Sequence, residues 1–349
     1  MLDNNPIKKY IKYNCPLLFK VLKYPKNKIG QLIFFIKYIL YRFYIITKVP
    51  LIRRKPRIKV LYVLAEVSTW KSEMLYLAML KHERFTPILG ITTNSVEAPG
   101  SKPILEEYLK QKHYNFVDLD KSPDSIDIIN PDFILYYKPY DASYPPEQVF
   151  WKHKHAIPIG LNYGISMSSL KQHYSQPLFQ WSFLFFVENK MIKSYFKKAI
   201  GFKAFNIRAT GTPMEDHLLM SKENFNDPWK DRIGKKRIIY APHHSFKGSN
   251  GNGVELATFL ENGEFLLEMA KKYKEKVTFA FKPHPNLRKK LAKVWGKEKV
   301  DSYYHEWESL DYAQVDYGEY VSLFKYSDAI IHDSSSFMIE YLFMNKPSM

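Results

Sequence analysis

Three short segments gather residues that bind phosphate or move protons, and each ends an apolar run. Ala241–Pro242–His243–His244–Ser245 closes the run Arg237–Ala241. Lys282–Pro283–His284–Pro285 follows Val277–Phe281, and its two prolines hold the histidine's backbone rigid. His332–Asp333–Ser334–Ser335–Ser336 follows Ala329–His332 and precedes a helical pattern from Phe337. An imidazole can take a proton from a hydroxyl or offer a hydrogen bond to phosphate. Lys282 supplies a point charge suited to phosphate, and Arg288 stands near enough in sequence to assist. A helix start offers free amides, and the hydroxyls of Ser334, Ser335 and Ser336 add donors. One of these serines equally suits a helix N-cap. Asp333 would orient a histidine or bind ribose hydroxyls. Two further segments, Gly160–Leu161–Asn162–Tyr163–Gly164 and Gly211–Thr212–Pro213 with Asp216, read either as substrate-facing loops or as simple connections.

The elements that must carry these segments alternate. Strand-like runs at Arg57–Val67, Phe85–Ile91, Phe116–Asp118, Phe133–Tyr137, Ala156–Leu161, Trp181–Glu188 and Asn206–Thr210 are separated by helical patterns at Trp70–His82, Lys102–Lys112 and Asn189–Ala199, with a crossover at Pro145–His153. After a polar linker around Met220–Arg237 the alternation resumes. Arg237–Ala241, Val277–Phe281 and Ala329–His332 read as strands, and Phe259–Tyr273, Asn286–Val294, Tyr320–Tyr326 and Phe337–Met344 as helices. Alternating strands and helices predict parallel α/β domains, whose ligands collect beyond the C-terminal ends of the strands. The expected division is residues 1–56, 57–220 and 236–349. Asn345–Lys346–Pro347 reads as the turn before another strand, so the last domain is expected to be cut short.

Of the net charge of +17, residues 1–60 hold eleven lysines and four arginines against one acid, Asp3, which leaves +3 for the rest. Charge gathered in one terminal region does not describe a nucleic-acid-binding face. Within it, Ile29–Val49 is apolar and aromatic but interrupted by Lys37 and Arg42. A spanning helix needs ~20 apolar residues with few charges. The segment therefore reads as a helix lying on an anionic membrane surface or as a buried helix with its basic groups directed outward. One cysteine excludes an internal disulfide. The chain lacks the P-loop, the dinucleotide fingerprint and HExxH. No metal site is assigned, although a carboxylate such as Asp333 leaves metal assistance open.

Gly211–Thr–Pro–Met–Glu–Asp216, Tyr240–Ala–Pro–His–His244, Lys282–Pro–His–Pro285 and Tyr326–Ser–Asp–Ala–Ile–Ile–His–Asp–Ser–Ser–Ser336 together resemble the CDP-glycerol glycerophosphotransferase family, the teichoic-acid-type polymerases and primases. The likeness covers roughly residues 155–349 and is best from 237 onward. It implies a GT-B fold, two Rossmann-like domains facing a cleft, and a peripheral enzyme at the cytoplasmic face of a bacterial membrane. It also implies CDP-glycerol or CDP-ribitol as donor and a lipid-linked saccharide or surface polymer as acceptor. By resemblance His284 contacts donor phosphate, Ser334 and Ser335 bind phosphate, Asp333 is the aspartate before them, and Pro213 and Asp216 belong to the preceding loop. Two departures stand out. Met214 replaces a common arginine, and Tyr163 stands where a Trp-His-Gly-Thr histidine is proposed as base. A phenol with a reference pKa of ~10 is a poor base near neutrality.

Two enzyme readings follow. In the first, an acceptor hydroxyl attacks the distal phosphorus of a CDP-linked donor, His243 or His244 takes its proton, and CMP leaves. In the second, a GT-B glycosyltransferase uses a nucleotide sugar in capsule or lipopolysaccharide synthesis. A membrane-surface binding protein with a degenerate body is the non-enzyme reading.

Overall fold

The computed structural model describes residues 16–93, 100–140, 143–166, 171–230, 234–249, 255–333 and 335–349. The chain divides into two compact units, Met1–Pro56 and Arg57–Met349. In the first, one helix runs over Pro16–Arg53, beyond both ends of the apolar stretch read from sequence. It leaves Ile36, Ile39, Leu40, Phe43, Ile46 and Leu51 exposed. Among the described residues no helix is long and apolar enough to cross a membrane.

The second unit contains two parallel sheets, an arrangement consistent with a GT-B-like α/β fold. The larger is built from β1 (Ile58–Leu64), β2 (Phe85–Ile91), β3 (Phe116–Asp118), β4 (Phe133–Tyr136), β5 (Ile157–Leu161), β6 (Phe185–Val187) and β7 (Ile207–Ala209). Its order is β3-β2-β1-β4-β5-β6-β7. All residues of β1 but Lys59 are buried, as expected of a central strand covered on both faces. The smaller sheet holds β8 (Lys236–Ala241), β9 (Val277–Phe281), β10 (Ala313–Val315) and β11 (Ala329–His332), in the order β10-β9-β8-β11. In each sheet the strand order reverses once, between β1 and β4 and between β8 and β11. That reversal opens a crevice at the C-terminal edge.

Close packing fixes the spacing within the larger sheet. A Cβ added at Gly160 on β5 would lie 2.1 Å from a ring carbon of Phe185 on β6, so the ring occupies the room that glycine leaves. The linker before β8 is less loose than its polarity implies. Trp229 within it is only 1% exposed, packs with Ile239, Leu323 and Phe324, and donates from its indole to Leu323 O.

Some expected elements differ. Pro145–His153 yields only the 3₁₀ turn Pro146–Gln148, which stops where Val149 takes an extended conformation. Of Trp181–Glu188, only Phe185–Val187 pairs as strand, because Pro177 starts a short helix that ends at Trp181. Helices Pro213–Leu219 and Lys297–Ser309 and strand β10 are additional. Beyond Asn345–Lys346–Pro347, Ser348 pairs in parallel with Ile330 of β11.

Candidate functional site at the facing strand ends

The C-terminal edges of the two sheets meet. Lys71, shortly after β1, forms an ion pair of 2.5 Å with Glu340, which follows β11. Lys71 is 8% exposed and Glu340 is fully buried. The Tyr320 hydroxyl donates to the second oxygen of Glu340, and the Lys71 ammonium sits 5.2 Å from the Tyr320 ring centre. Gly164, beyond β5, is close enough that an added Cβ would lie 3.8 Å from Ser336 Cβ and 3.9 Å from Lys71 Nζ. The Gly160–Gly164 segment thus reaches the opposite wall of the cleft.

On that wall three imidazoles form one cluster. Ring centres lie 4.3 Å apart for His243 and His244, 4.1 Å for His244 and His284, and 5.0 Å for His243 and His284. The strand ends place them. His243 and His244 leave β8 after Pro242, and the His284 amide donates to Pro242 O at 3.1 Å, tying the β9 corner to the β8 corner. Asp333 fastens the third corner. Its Oδ1 accepts from the His243 amide at 2.5 Å, and its Oδ2 accepts from the Thr258 amide at 2.7 Å. Asp333 therefore braces the backbone of the histidine pair and the segment that leads into helix Phe259–Lys272.

Each Nδ1 faces a donor. Asn286 N–H donates to His284 Nδ1 at 3.1 Å, Ser245 N–H to His243 Nδ1 at 3.3 Å, and the Lys290 ammonium to His244 Nδ1 at 2.8 Å. An ammonium and a backbone amide can only donate, so Nδ1 of His244 and of His284 accepts; at His243 the shorter contact is to Ser245 Oγ at 2.7 Å, a hydroxyl able to donate to the same atom. The matching neutral tautomer carries its hydrogen on Nε2. Burial lowers all three titrations. For His243, Lys290 adds to that fall while Asp333 opposes it. His244 is pushed down to about 3 by burial, then by His243 and Lys290. His284 falls well below the ordinary value through burial, then through His244, His243, Lys138 and Lys290. The cluster is consequently uncharged at neutral pH and presents Nε2 hydrogens.

The same three histidines are the one group of potential metal ligands among the described residues, with ligand atoms within 4.8 Å of one another. A metal at Nε2 needs a lone pair there and a hydrogen on Nδ1. The observed donors on Nδ1 impose the reverse, so this arrangement does not fit a metal held through Nε2.

The pattern of the family described as CDP-Glycerol:Poly(glycerophosphate) glycerophosphotransferase matches residues 137–349, more than half of the chain. The chain belongs to that family. It is a CDP-alditol-dependent glycerophosphotransferase-type enzyme, which moves an alditol phosphate from a CDP-linked donor to a polymer acceptor. A search of curated proteins found no match. Among solved structures, the transferase is similar to a putative UDP-N-acetylglucosamine 2-epimerase from Listeria monocytogenes, with 17% identity, 84% of this chain and 78% of that chain covered, and a TM-score of 0.53. It is also similar to MnaA of S. aureus in complex with UDP, at 16% identity, 83% and 78% coverage and a TM-score of 0.54. The wall teichoic acid polymerase TagF matches at 15% identity, 84% and 69% coverage and a TM-score of 0.49. The first two likenesses speak for the fold.

The other sequence-selected residues of the transferase fall in different places. Lys282 is almost buried, and its ammonium is held by Asp316 at 2.7 Å and by Gly318 O at 2.8 Å. Arg288 points away from the cluster, to Asp301 at 2.8 Å and to the face of Tyr304. Gly211 has φ +83°, a conformation that favours glycine, and Thr212 caps helix Pro213–Leu219 with Pro213 in its first turn. That helix packs against helix Glu73–Lys81 and sends Met214 and Leu218 into the core beside β8, so Gly211 and Pro213 turn the chain between the two sheets. Ser335 begins the six-residue helix Ser335–Glu340, Ser336 lies at the cleft, and Ser334 lies outside the described residues. Lys71, Lys138, Lys290 and Glu66 carried no motif and were not singled out from sequence. Lys290 was within reach of helical periodicity, because it stands one residue-pair, and so half a turn, from Arg288.

Proposed function

We propose that the chain transfers glycerol phosphate or ribitol phosphate from its CDP-linked donor to a hydroxyl of a lipid-linked saccharide or growing surface polymer, releasing CMP. The acceptor oxygen forms a bond to the distal phosphorus, the bridging P–O bond breaks, and its electron pair leaves on CMP. What carries this reading is the histidine cluster: three Nε2–H groups gathered in one cleft wall, each fixed by a donor on its Nδ1. Neutral, pre-oriented donors stabilise charge building on phosphate oxygens without reorganising. Positioning and charge stabilisation are the main demands of phosphoryl transfer. His243 and His244, read from sequence as proton acceptors, serve here as donors beside His284, with Ser336 on the adjoining corner. Lys282 and Asp333 support the corners from behind.

The basic first unit, with its exposed Ile36, Ile39, Leu40, Phe43 and Ile46, fits a peripheral anchor on an anionic membrane at the cytoplasmic face, where a lipid-linked acceptor is found. The test is nucleotide release from CDP-glycerol, CDP-ribitol and UDP-linked sugars, with a lipid-linked saccharide as acceptor. Acceptor-dependent CMP release from a CDP-alditol is expected. Release from sugar nucleotides alone would refute alditol-phosphate transfer. His284→Ala should lower turnover ~10²–10³-fold, the usual loss for one such donor.

A further inference from the structure

The histidine cluster offers hydrogens to the cleft, so the proton of the acceptor hydroxyl needs a sink outside it. Tyr163 is a phenol and a poor base near neutrality. Among the described residues one buried carboxylate oxygen lacks a hydrogen-bond partner, Oε2 of Glu188. Resting on the transfer reaction proposed above, we propose that Glu188 is the general base, whose Oε2 receives the attacking hydroxyl of the acceptor and takes its proton.

Glu188 follows β6 directly and is 8% exposed. Its other oxygen, Oε1, accepts from Asn162 Nδ2 at 2.9 Å and from the Ser166 amide at 2.7 Å. Asn162 also donates to Ser166 Oγ at 2.6 Å, which closes the turn between them. The carboxylate therefore lies against the loop 162–166, with one oxygen engaged by it and the other left over. Gly164, in the middle of that loop, is the residue that approaches Ser336 on the opposite wall. Ser336 stands shortly after Asp333, whose Oδ1 holds the His243 amide. The backbone carbonyl of Glu188 accepts from the Gly211 amide at 3.1 Å, where the chain turns toward the second sheet. Side chain and backbone of Glu188 thus join two of the segments by which the larger sheet reaches the smaller one.

An unpaired carboxylate oxygen away from water is costly, and a donor arriving in the cleft relieves that cost. The donor that the reaction supplies is the acceptor's hydroxyl. Other carboxylates near the strand ends are taken. Both oxygens of Asp333 hold backbone amides, and Glu340 holds Lys71 and Tyr320. Glu66, at the crevice between β1 and β4, holds Lys138 at 2.5 Å through one oxygen and Ser68 Oγ at 3.3 Å through the other. In the step, the hydroxyl proton passes to Glu188 Oε2 as the new O–P bond forms. The bridging P–O bond breaks, and its electron pair leaves on CMP. Carboxylates accept such protons in other phosphoryl transfers.

The experiment uses the full chain with CDP-glycerol and a lipid-linked saccharide. In Glu188→Gln the amide oxygen can keep both bonds of Oε1, while an NH₂ group replaces the free acceptor. That variant should bind CDP-glycerol within about 3-fold of the parent by calorimetry, yet lose at least ~10²-fold in kcat. Asn162→Ala removes one bond of the clamp and leaves Oε2 in place, so its loss should stay below about 10-fold. Equal losses in the two variants would make Glu188 a fastener of the loop and overturn the proposal. Parental kcat in a folded Glu188→Gln chain overturns it as well. If Glu188→Gln does not fold, Glu188→Asp keeps the charge but withdraws it by one methylene. A folded Glu188→Asp chain should lose ~10²-fold in kcat, and a parental rate there overturns the proposal. These outcomes leave the transfer reading intact. A parent chain that releases no CMP from any CDP-alditol overturns the transfer reading itself, and this inference with it.

Discussion

Removing Lys71 tests how the two walls of the cleft are held. Lys71→Met leaves the Glu340 carboxylate fully buried with the Tyr320 hydroxyl as its remaining partner. Breaking one side of a buried pair costs about 3–5 kcal/mol, because the surviving charge has lost its compensation. The Tyr320 hydrogen bond offsets some of that, which puts the expected loss near ~3 kcal/mol. In a folded unit of this size that corresponds to a fall in Tm of roughly 6–12 °C. Glu340→Gln should cost a similar amount, since it strands the Lys71 ammonium. The double variant Lys71→Met with Glu340→Gln should be clearly more stable than the sum of the two losses, by on the order of 2 kcal/mol. Urea unfolding followed by circular dichroism measures all four chains. Losses below about 1 kcal/mol that simply add would refute a desolvated pair and leave the walls held by apolar packing alone.

Acid should act through the histidine cluster. These imidazoles titrate lower when folded than unfolded, so the unfolded chain takes up more protons once pH drops below about 6.5. Stability is full above that point and declines as pH falls toward the folded value, which for His244 is about 3. Between pH 7 and 5, His244 alone contributes a loss of ~1 kcal/mol after allowance for its partial exposure; His244→Asn should flatten the Tm–pH slope, and an unchanged slope would contradict the assignment. Gly160→Ala drives a methyl into the Phe185 ring and should cost about 1–3 kcal/mol in chemical denaturation; parental stability would mean that β6 shifts freely. Lys290→Met removes the donor on His244 Nδ1 and frees that ring to turn. Turnover should fall while the Tm stays within a few degrees, and equal turnover would show that the tautomer of His244 does not matter.

Much of this fold was legible because its strands are short, apolar and evenly separated. The runs ending at Ala241, Phe281 and His332 are strands that stop at those residues, as read from the sequence. β10 was hidden because three residues, Ala313–Gln314–Val315, carry no alternation. Helix Lys297–Ser309 was hidden by its many charges, although Val300, Tyr303, Tyr304 and Trp307 fall on one buried face. Choosing Arg288 over Lys290 followed from chain proximity, while the helix Leu287–Trp295 turns the two side chains to opposite sides. Lys71 and Glu340 stand 269 residues apart, and no local pattern joins them. Glu66 and Lys138 become partners only through the adjacency of β1 and β4.

The cleft is assembled from two halves that arrive separately along the chain. The histidine wall lies entirely after the linker at Trp229, and the Glu66–Lys138 crevice entirely before it. A gene exchange cut within that linker would bring a new first half to an old second half. Such hybrids could inherit a different acceptor while keeping the same donor, on one condition. Residues 71 and 340 would have to match in charge, so this single pair acts as a compatibility check between the two halves.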